Sequence, residues 1–259
     1  MSDCAEQYMW IDSPSYEWVD SELISWGECS DLILNQIYTD LDYVYAVTNY
    51  GLNIIDIISE NKVSYIDIIS GFTTVWGNED YLYLGTPNDG VKYLEKDTIS
   101  GSIASPIDLS DNLKGYDFQY NPSSPEINFL HGYNDILSVV TTSGIDILKN
   151  GIGSFKSSTK DSGITKCILT SKRELYYVIQ NTIDDGVFKV NTVLCDWDTP
   201  DVSYLSGASF LPPNQNVNDI YVTVDTSETG EDNTLFVATS SGIFIWDEGT
   251  GGFNTYYTE

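Results

Sequence analysis

The chain has 259 residues, with 11 basic against 39 acidic residues and a formal net charge of −28 at pH 7. A surface this negative repels phosphate backbones and anionic headgroups, which excludes nucleic acid and a membrane surface as partners. Apolar residues still make up 41%, with 19 Tyr, 9 Phe and 6 Trp, so the chain can build a core, and no apolar run nears the ~18 residues of a membrane helix.

Residues 1–30 stand apart from the rest of the chain. Their start, Met1-Ser2-Asp3-Cys4-Ala5-Glu6, carries neither the basic stretch nor the apolar run of a secretion signal. The expected location is therefore the cytoplasm of the producing cell, or a particle assembled there. Trp10, Trp18 and Trp26 lie among acids in this extension. They read either as an added strand or plug on the main domain, or as an arm that docks on a partner, because exposed aromatics favour interfaces.

From residue 31 onward one phrase recurs: an acid, an apolar strand, a Thr or other polar turn, a Gly, and a second apolar strand. Its copies are Asp42–Thr48 with Gly51–Asp56, Asp80–Thr86 with Gly90–Leu94, and Asp135–Thr141 with Gly144–Leu148. A weaker copy runs Glu174–Ile179 with Gly186–Val190, and the last runs Thr234–Thr239 with Gly242–Asp247. Each copy predicts two strands joined by a short hairpin. A strand-like run precedes each one: Gln36–Thr39, Thr73–Trp76, Asn128–His131, Thr165–Leu169 and Ile220–Val224. Another comes after most of them, as at Lys62–Asp67, Gly101–Ala104 and Phe253–Tyr257. The glycines are spaced by 39, 54, 42 and 56 residues, which suits one four-stranded antiparallel sheet per repeat. No stretch carries a helical period. The expected fold is all-β: a five-bladed β-propeller of four-stranded antiparallel blades over 31–259, because small sheets apolar on both faces need neighbours on both sides. Six blades are the alternative if residues 1–30 begin another.

The wording of the last copy, Leu235 to Tyr256, resembles the repeat of two-component-regulator-type propellers. It has an apolar strand, Thr, Gly, a second apolar strand ending in Asp247, a turn containing Thr250-Gly251, then Phe253 and Tyr256. The resemblance implies the propeller fold. It supplies no catalytic residues, and the sensor role of the longer proteins that carry such repeats is not implied for this chain.

Candidate chemistry is sparse. The one histidine, His131, falls on the innermost strand of the third repeat and reads as structural rather than as a base, since the sequence offers it no partner. Asp42, Asp80, Asp135 and Glu174 stand just before the second strand of their repeats. Turn chemistry explains acids there, since Asp bonds to local backbone groups. A ring of carboxylates that draws a cation or a basic partner is the functional alternative, and these four are its metal candidates. The loop Asp225–Asn233 begins like a calcium loop but has Phe236 where the bidentate acid belongs. No cofactor is expected, with calcium the sole one considered. Cys4, Cys29, Cys167 and Cys195 form no Cys-x-x-Cys pair and read as free thiols, Cys4–Cys29 being the disulfide alternative. Three strand steps of ~4.8 Å would hold Cys167 and Cys195 roughly 14 Å apart, too far to bridge.

These features point to a non-enzymatic interaction or structural propeller that contacts other protein subunits of a large assembly, a bacteriophage capsid or tail being the specific expectation. The alternative is a glycan-binding or glycan-active propeller that uses exposed Trp and Tyr.

Overall fold

The computed structural model describes residues 33–59, 62–67, 71–99, 106–115, 125–134, 136–149, 154–159, 163–170, 174–179, 186–191, 202–204, 217–224, 233–247 and 252–257. The aromatic extension with Trp10, Trp18 and Trp26, the acid Asp135, the loop 225–232 and Cys4, Cys29 and Cys195 lie outside the described residues.

The described chain is almost entirely strand, arranged as five separate sheets taken up in sequence order. The first contains β1 (Leu34–Thr39), β2 (Tyr43–Thr48), β3 (Gly51–Asp56) and β4 (Lys62–Asp67). The second contains β5 (Thr74–Gly77), β6 (Tyr81–Gly85) and β7 (Val91–Glu95). It is completed after β8 (Ile107–Asp108) by β9 (Lys114–Gly115). The third contains β10 (Ile127–Tyr133), β11 (Ile136–Thr141), β12 (Gly144–Lys149) and β13 (Ser154–Thr159). The fourth contains β14 (Ile164–Leu169), β15 (Glu174–Ile179), β16 (Gly186–Asn191) and β17 (Val202–Tyr204). The fifth contains β18 (Val217–Val224), β19 (Asn233–Thr239), β20 (Gly242–Asp247) and β21 (Gly252–Tyr257). Within each sheet these strands pair antiparallel with their sequence neighbours.

The Thr-to-Gly spacing of the repeat has a direct physical cause. Thr48 Oγ1 donates to the carbonyl of Gly51 and accepts the amide of Tyr50, which closes the hairpin between β2 and β3. Thr141 with Gly144, and Thr239 with Gly242, repeat this arrangement, and Thr86 bonds to Gly90 in the same sense. Gly51 has φ of 140°, and a Cβ there would lie 1.8 Å from the carbonyl oxygen of Ile66, so only glycine fits.

The strand expected at Gly101–Ala104 lies outside the described residues, and among the described strands the outer neighbour of β7 is Lys114–Gly115. On the way, β8 crosses to the first sheet and joins the outer edge of β4 in parallel. The amide of Leu109 donates to Tyr65 O, and the Leu109 side chain is buried with Ile99 in the core between the first two sheets. Burial of these two apolar residues, together with the backbone groups available on the β4 edge, draws the segment across.

Among the described residues four apolar cores lie between successive sheets. Tyr45 and Ile54 of the first meet Val75 and Leu84 of the second. Trp76 and Tyr83 meet Leu130 and Val139 of the third. Ile145 meets Cys167 and Tyr177 of the fourth. Tyr176 and Val178 meet Leu235 and Trp246 of the fifth. Neighbouring residues of β15 thus feed opposite cores, which is why the second strands read as nearly unbroken apolar runs. Polar side chains on the first strands tie the sheets together. Gln36 Oε1 accepts from Thr74 Oγ1 and from the Val75 amide, while Thr74 Oγ1 accepts the Leu130 amide.

Candidate functional site

Where the first two strands of the first three sheets turn back, an open cup of about 1280 Å³ spans these sheets. Its lining combines tyrosines, Trp76 and four carboxylates, those of Asp40, Asp42, Glu79 and Asp80, with a single ammonium, that of Lys96.

The cup is built from a repeated local arrangement. In the first sheet Asp40 Oδ1 accepts the amides of Asp42 and Tyr43. In the second, Asn78 Oδ1 accepts those of Asp80 and Tyr81 in the same way. The turn-forming side chains are therefore Asp40 and Asn78, two positions ahead of the acids singled out in the sequence, and the Asp42 and Asp80 carboxylates remain at the mouth. Opposite each turn, aromatic rings face one another across the strands. Tyr38 stacks on Tyr45 at 5.8 Å between centroids, and Trp76 on Tyr83 at 5.8 Å. Tyr43 and Tyr81 lean on these pairs from two residues nearer the turn on the same strand. Trp76 can lie against the third sheet because Gly132 has no side chain: a Cβ there would be 2.7 Å from the indole.

The floor of the cup is a clamp between the first two sheets. Lys96, in the 3-10 turn Lys96–Thr98 directly after β7, donates from Nζ to Asp40 Oδ2 at 2.6 Å. Its ammonium also lies 5.8 Å from the Tyr38 ring centroid and 5.5 Å from that of Tyr45. Tyr45 Oη donates to the same Asp40 oxygen at 2.8 Å, and Tyr38 Oη donates to the carbonyl of Gly77 at 2.7 Å. Burial works to raise the Asp40 pKa, but hydrogen bonds from Lys96, the Tyr43 and Asp42 amides and Tyr45 outweigh it and hold the carboxyl below its ordinary range. Burial, followed by the bond to Asp40, pushes the Tyr45 phenol well up, so it stays protonated. Burial likewise raises Tyr83 to about 12.

Of the sequence candidates, Asp42 and Asp80 come together in this cup, while Glu174 is on the fourth sheet and does not line it. Among the described residues no group of three or more His, Cys, Asp or Glu side chains is placed to hold a metal ion. His131 lies on β10 opposite Ser138, and its Nδ1 accepts the amide of Leu169 from the neighbouring sheet at 3.1 Å. Desolvation lowers its pKa to about 4, so the ring is neutral at pH 7 and acts as an inter-sheet acceptor, the partner the sequence did not reveal. Cys167 is buried with a free thiol, and burial pushes its pKa up, away from nucleophilic use. The sequence reasoning missed Asp40, Asn78 and Lys96. The signal for the first two was present, since Asp40-Leu-Asp42-Tyr-Val-Tyr45 and Asn78-Glu-Asp80-Tyr-Leu-Tyr83 share one pattern.

No protein-family model matches the chain, and no curated protein matches it by sequence. Solved structures share its fold. The extracellular domain of a putative hybrid two-component system from B. thetaiotaomicron superposes with a TM-score of 0.62 at 15% identity, over 87% of this chain and 30% of that one. The chain thus spans under a third of that domain's length. The WD40 β-propeller domain of Doa1 gives 0.59 at 12% identity, over 86% of this chain and 68% of that one. Saccharomyces cerevisiae Sqt1 gives 0.55 at 12%, over 82% and 59%. The fold is of the β-propeller type, as the repeat wording implied. Among the described residues no helix is long and apolar enough to cross a membrane.

Proposed function

We propose that the chain is a non-enzymatic protein-interaction propeller, that its five sheets close into a five-bladed ring, and that the cup on the first three sheets is its docking surface. One observation carries the reading: a rigid, inter-sheet-clamped floor supports a mouth that presents Leu41, 94% exposed, and Tyr133, 38% exposed, beside carboxylates. A large apolar side chain left at the lip of an aromatic cavity suits a protein partner, and a propeller supplies stiff end faces for such contacts. The fold carries this only by analogy, so the site must bear the test.

The test begins with the native protein, purified from its source together with any bound chains, which are then reassembled with wild type and with Leu41→Ser/Tyr133→Ala. Loss of the partner in the double variant supports the cup. A native protein that always runs as a single chain without partners sinks the reading. For the larger assembly, a bacteriophage virion remains the specific expectation, resting on analogy of fold and architecture alone, and co-sedimentation with particles tests it. Carbohydrate binding is the second reading. Tyr43 and Tyr81, half-buried beside Asp42 and Asp80, have the ring-and-carboxylate pairing that sugars stack and bond on, and a glycan array without hits removes it.

A further inference from the structure

We propose that the mouth of the cup recognises a basic segment of a partner protein, an arginine or lysine side chain entering between the Glu79 and Asp80 carboxylates and the rings of Tyr81 and Tyr133. This rests on the interaction reading above and names the chemistry of its partner.

Two independent observations meet here. The first is the way the cup holds its own cation: Lys96 Nζ is bound by one carboxylate oxygen of Asp40 and lies near the rings of Tyr38 and Tyr45. That is an aromatic and carboxylate cage around an ammonium, with favourable cation–π geometry. The second sheet repeats the scaffold residue for residue, with Asn78 in place of Asp40, Trp76 in place of Tyr38 and Tyr83 in place of Tyr45. Asn78 bears no charge, so the anionic character of this half comes from Glu79 and Asp80 at the mouth. The lining therefore sets four carboxylates against one ammonium, and that ammonium belongs to the Asp40 half.

The second observation is the cavity itself. It is open to solvent, broad enough for a long side chain, and flanked by Tyr81, part-exposed, and Tyr133, exposed. A small inorganic cation would not need ring faces or an exposed Leu41 at the lip, whereas a peptide does. Arginine suits the site better than lysine, because its planar group stacks on tyrosine while donating in a fork to a carboxylate. The net charge of −28 steers basic partners toward the molecule as a whole, and the cup gives them a place to stop.

The test uses fluorescein-labelled octa-arginine, with octa-lysine and octa-glutamate for comparison, in fluorescence anisotropy at about 150 mM NaCl, where exposed charges are screened beyond ~8 Å. The full chain is compared with Glu79→Gln/Asp80→Asn and Tyr81→Ala. The control is Asp108→Asn/Asp111→Asn, which removes the same charge from exposed positions outside the cup. The expected result is binding of octa-arginine that weakens roughly tenfold in the cup variants and less than about twofold in the control. Equal weakening in cup and control variants overturns the proposal, because the peptide then reads net charge alone, and so does an absence of binding by the wild type. If either occurs while Leu41→Ser/Tyr133→Ala still loses the native partner, the interaction reading stands and only the basic partner falls.

Discussion

At the scale of single residues, the turn and the clamp can be separated at Asp40. Its Oδ1 serves the turn, while its Oδ2 serves Lys96 and Tyr45. Asn78 shows that an amide performs the first task unaided. Asp40→Asn is therefore expected to cost less than Asp40→Ala. The alanine variant should lose roughly 1–2 kcal/mol more, because both variants remove the charge partner of Lys96 but only alanine also leaves the two turn amides without their acceptor. Urea melts of the two variants check this, and equal midpoints would refute the division of labour. His131 gives a pH prediction. Its folded pKa of about 4 lies below the 6.5 of a free imidazole, so between these values the unfolded chain binds the extra proton. Stability then falls as pH drops through that window, by an amount on the order of 2–3 kcal/mol. His131→Asn retains an acceptor for Leu169 and removes this slope. The difference between wild-type and variant melting curves from pH 7 to about 4 isolates it from the many carboxylates, and parallel curves would show that the ring titrates normally.

Elements are set by the repeat of Thr and Gly around the second hairpin. Gly51→Ala forces a Cβ onto the Ile66 carbonyl at a φ that side chains avoid, and should destabilise by roughly 2–4 kcal/mol. Thr141→Val keeps the shape and loses two hydrogen bonds across the hairpin, with an expected loss of about 1–2 kcal/mol. Thermal denaturation of both checks the order, and a valine variant as damaging as the alanine one would contradict it. These hairpins were legible in the sequence because their causes are local: a hydroxyl and a glycine three or four residues apart suffice. The outer strand of the second sheet was not. Lys114–Gly115 has no alternating pattern to announce it, and β8 pairs with the first sheet because Leu109 and Ile99 find a core there.

For the whole molecule, the same stacking principle joins each sheet to the next through four cores. Outside them, Ile37 on the first sheet is 44% exposed, and Tyr221 on the fifth is 64% exposed. In the proposed ring these end sheets are the seam. Closure makes every sheet depend on both neighbours, so deleting residues 217–259 should abolish the single cooperative unfolding transition. In an open stack the four remaining sheets would unfold together at a lower temperature. Calorimetry of the truncated chain distinguishes the two.

The sequence by itself determined the hairpins, the all-β class and the number of repeat phrases, because each arises from periodicity and turn chemistry within a dozen residues. It also placed Asp42 and Asp80 at equivalent turns. Only the tertiary structure decided that these two acids share one cup, that Lys96 crosses to Asp40, and that His131 accepts from Leu169. These partners are 38 or more residues apart, and which faces meet depends on how sheets stack rather than on any local preference. The short-range code writes the blades; desolvation and pairing between them make the site.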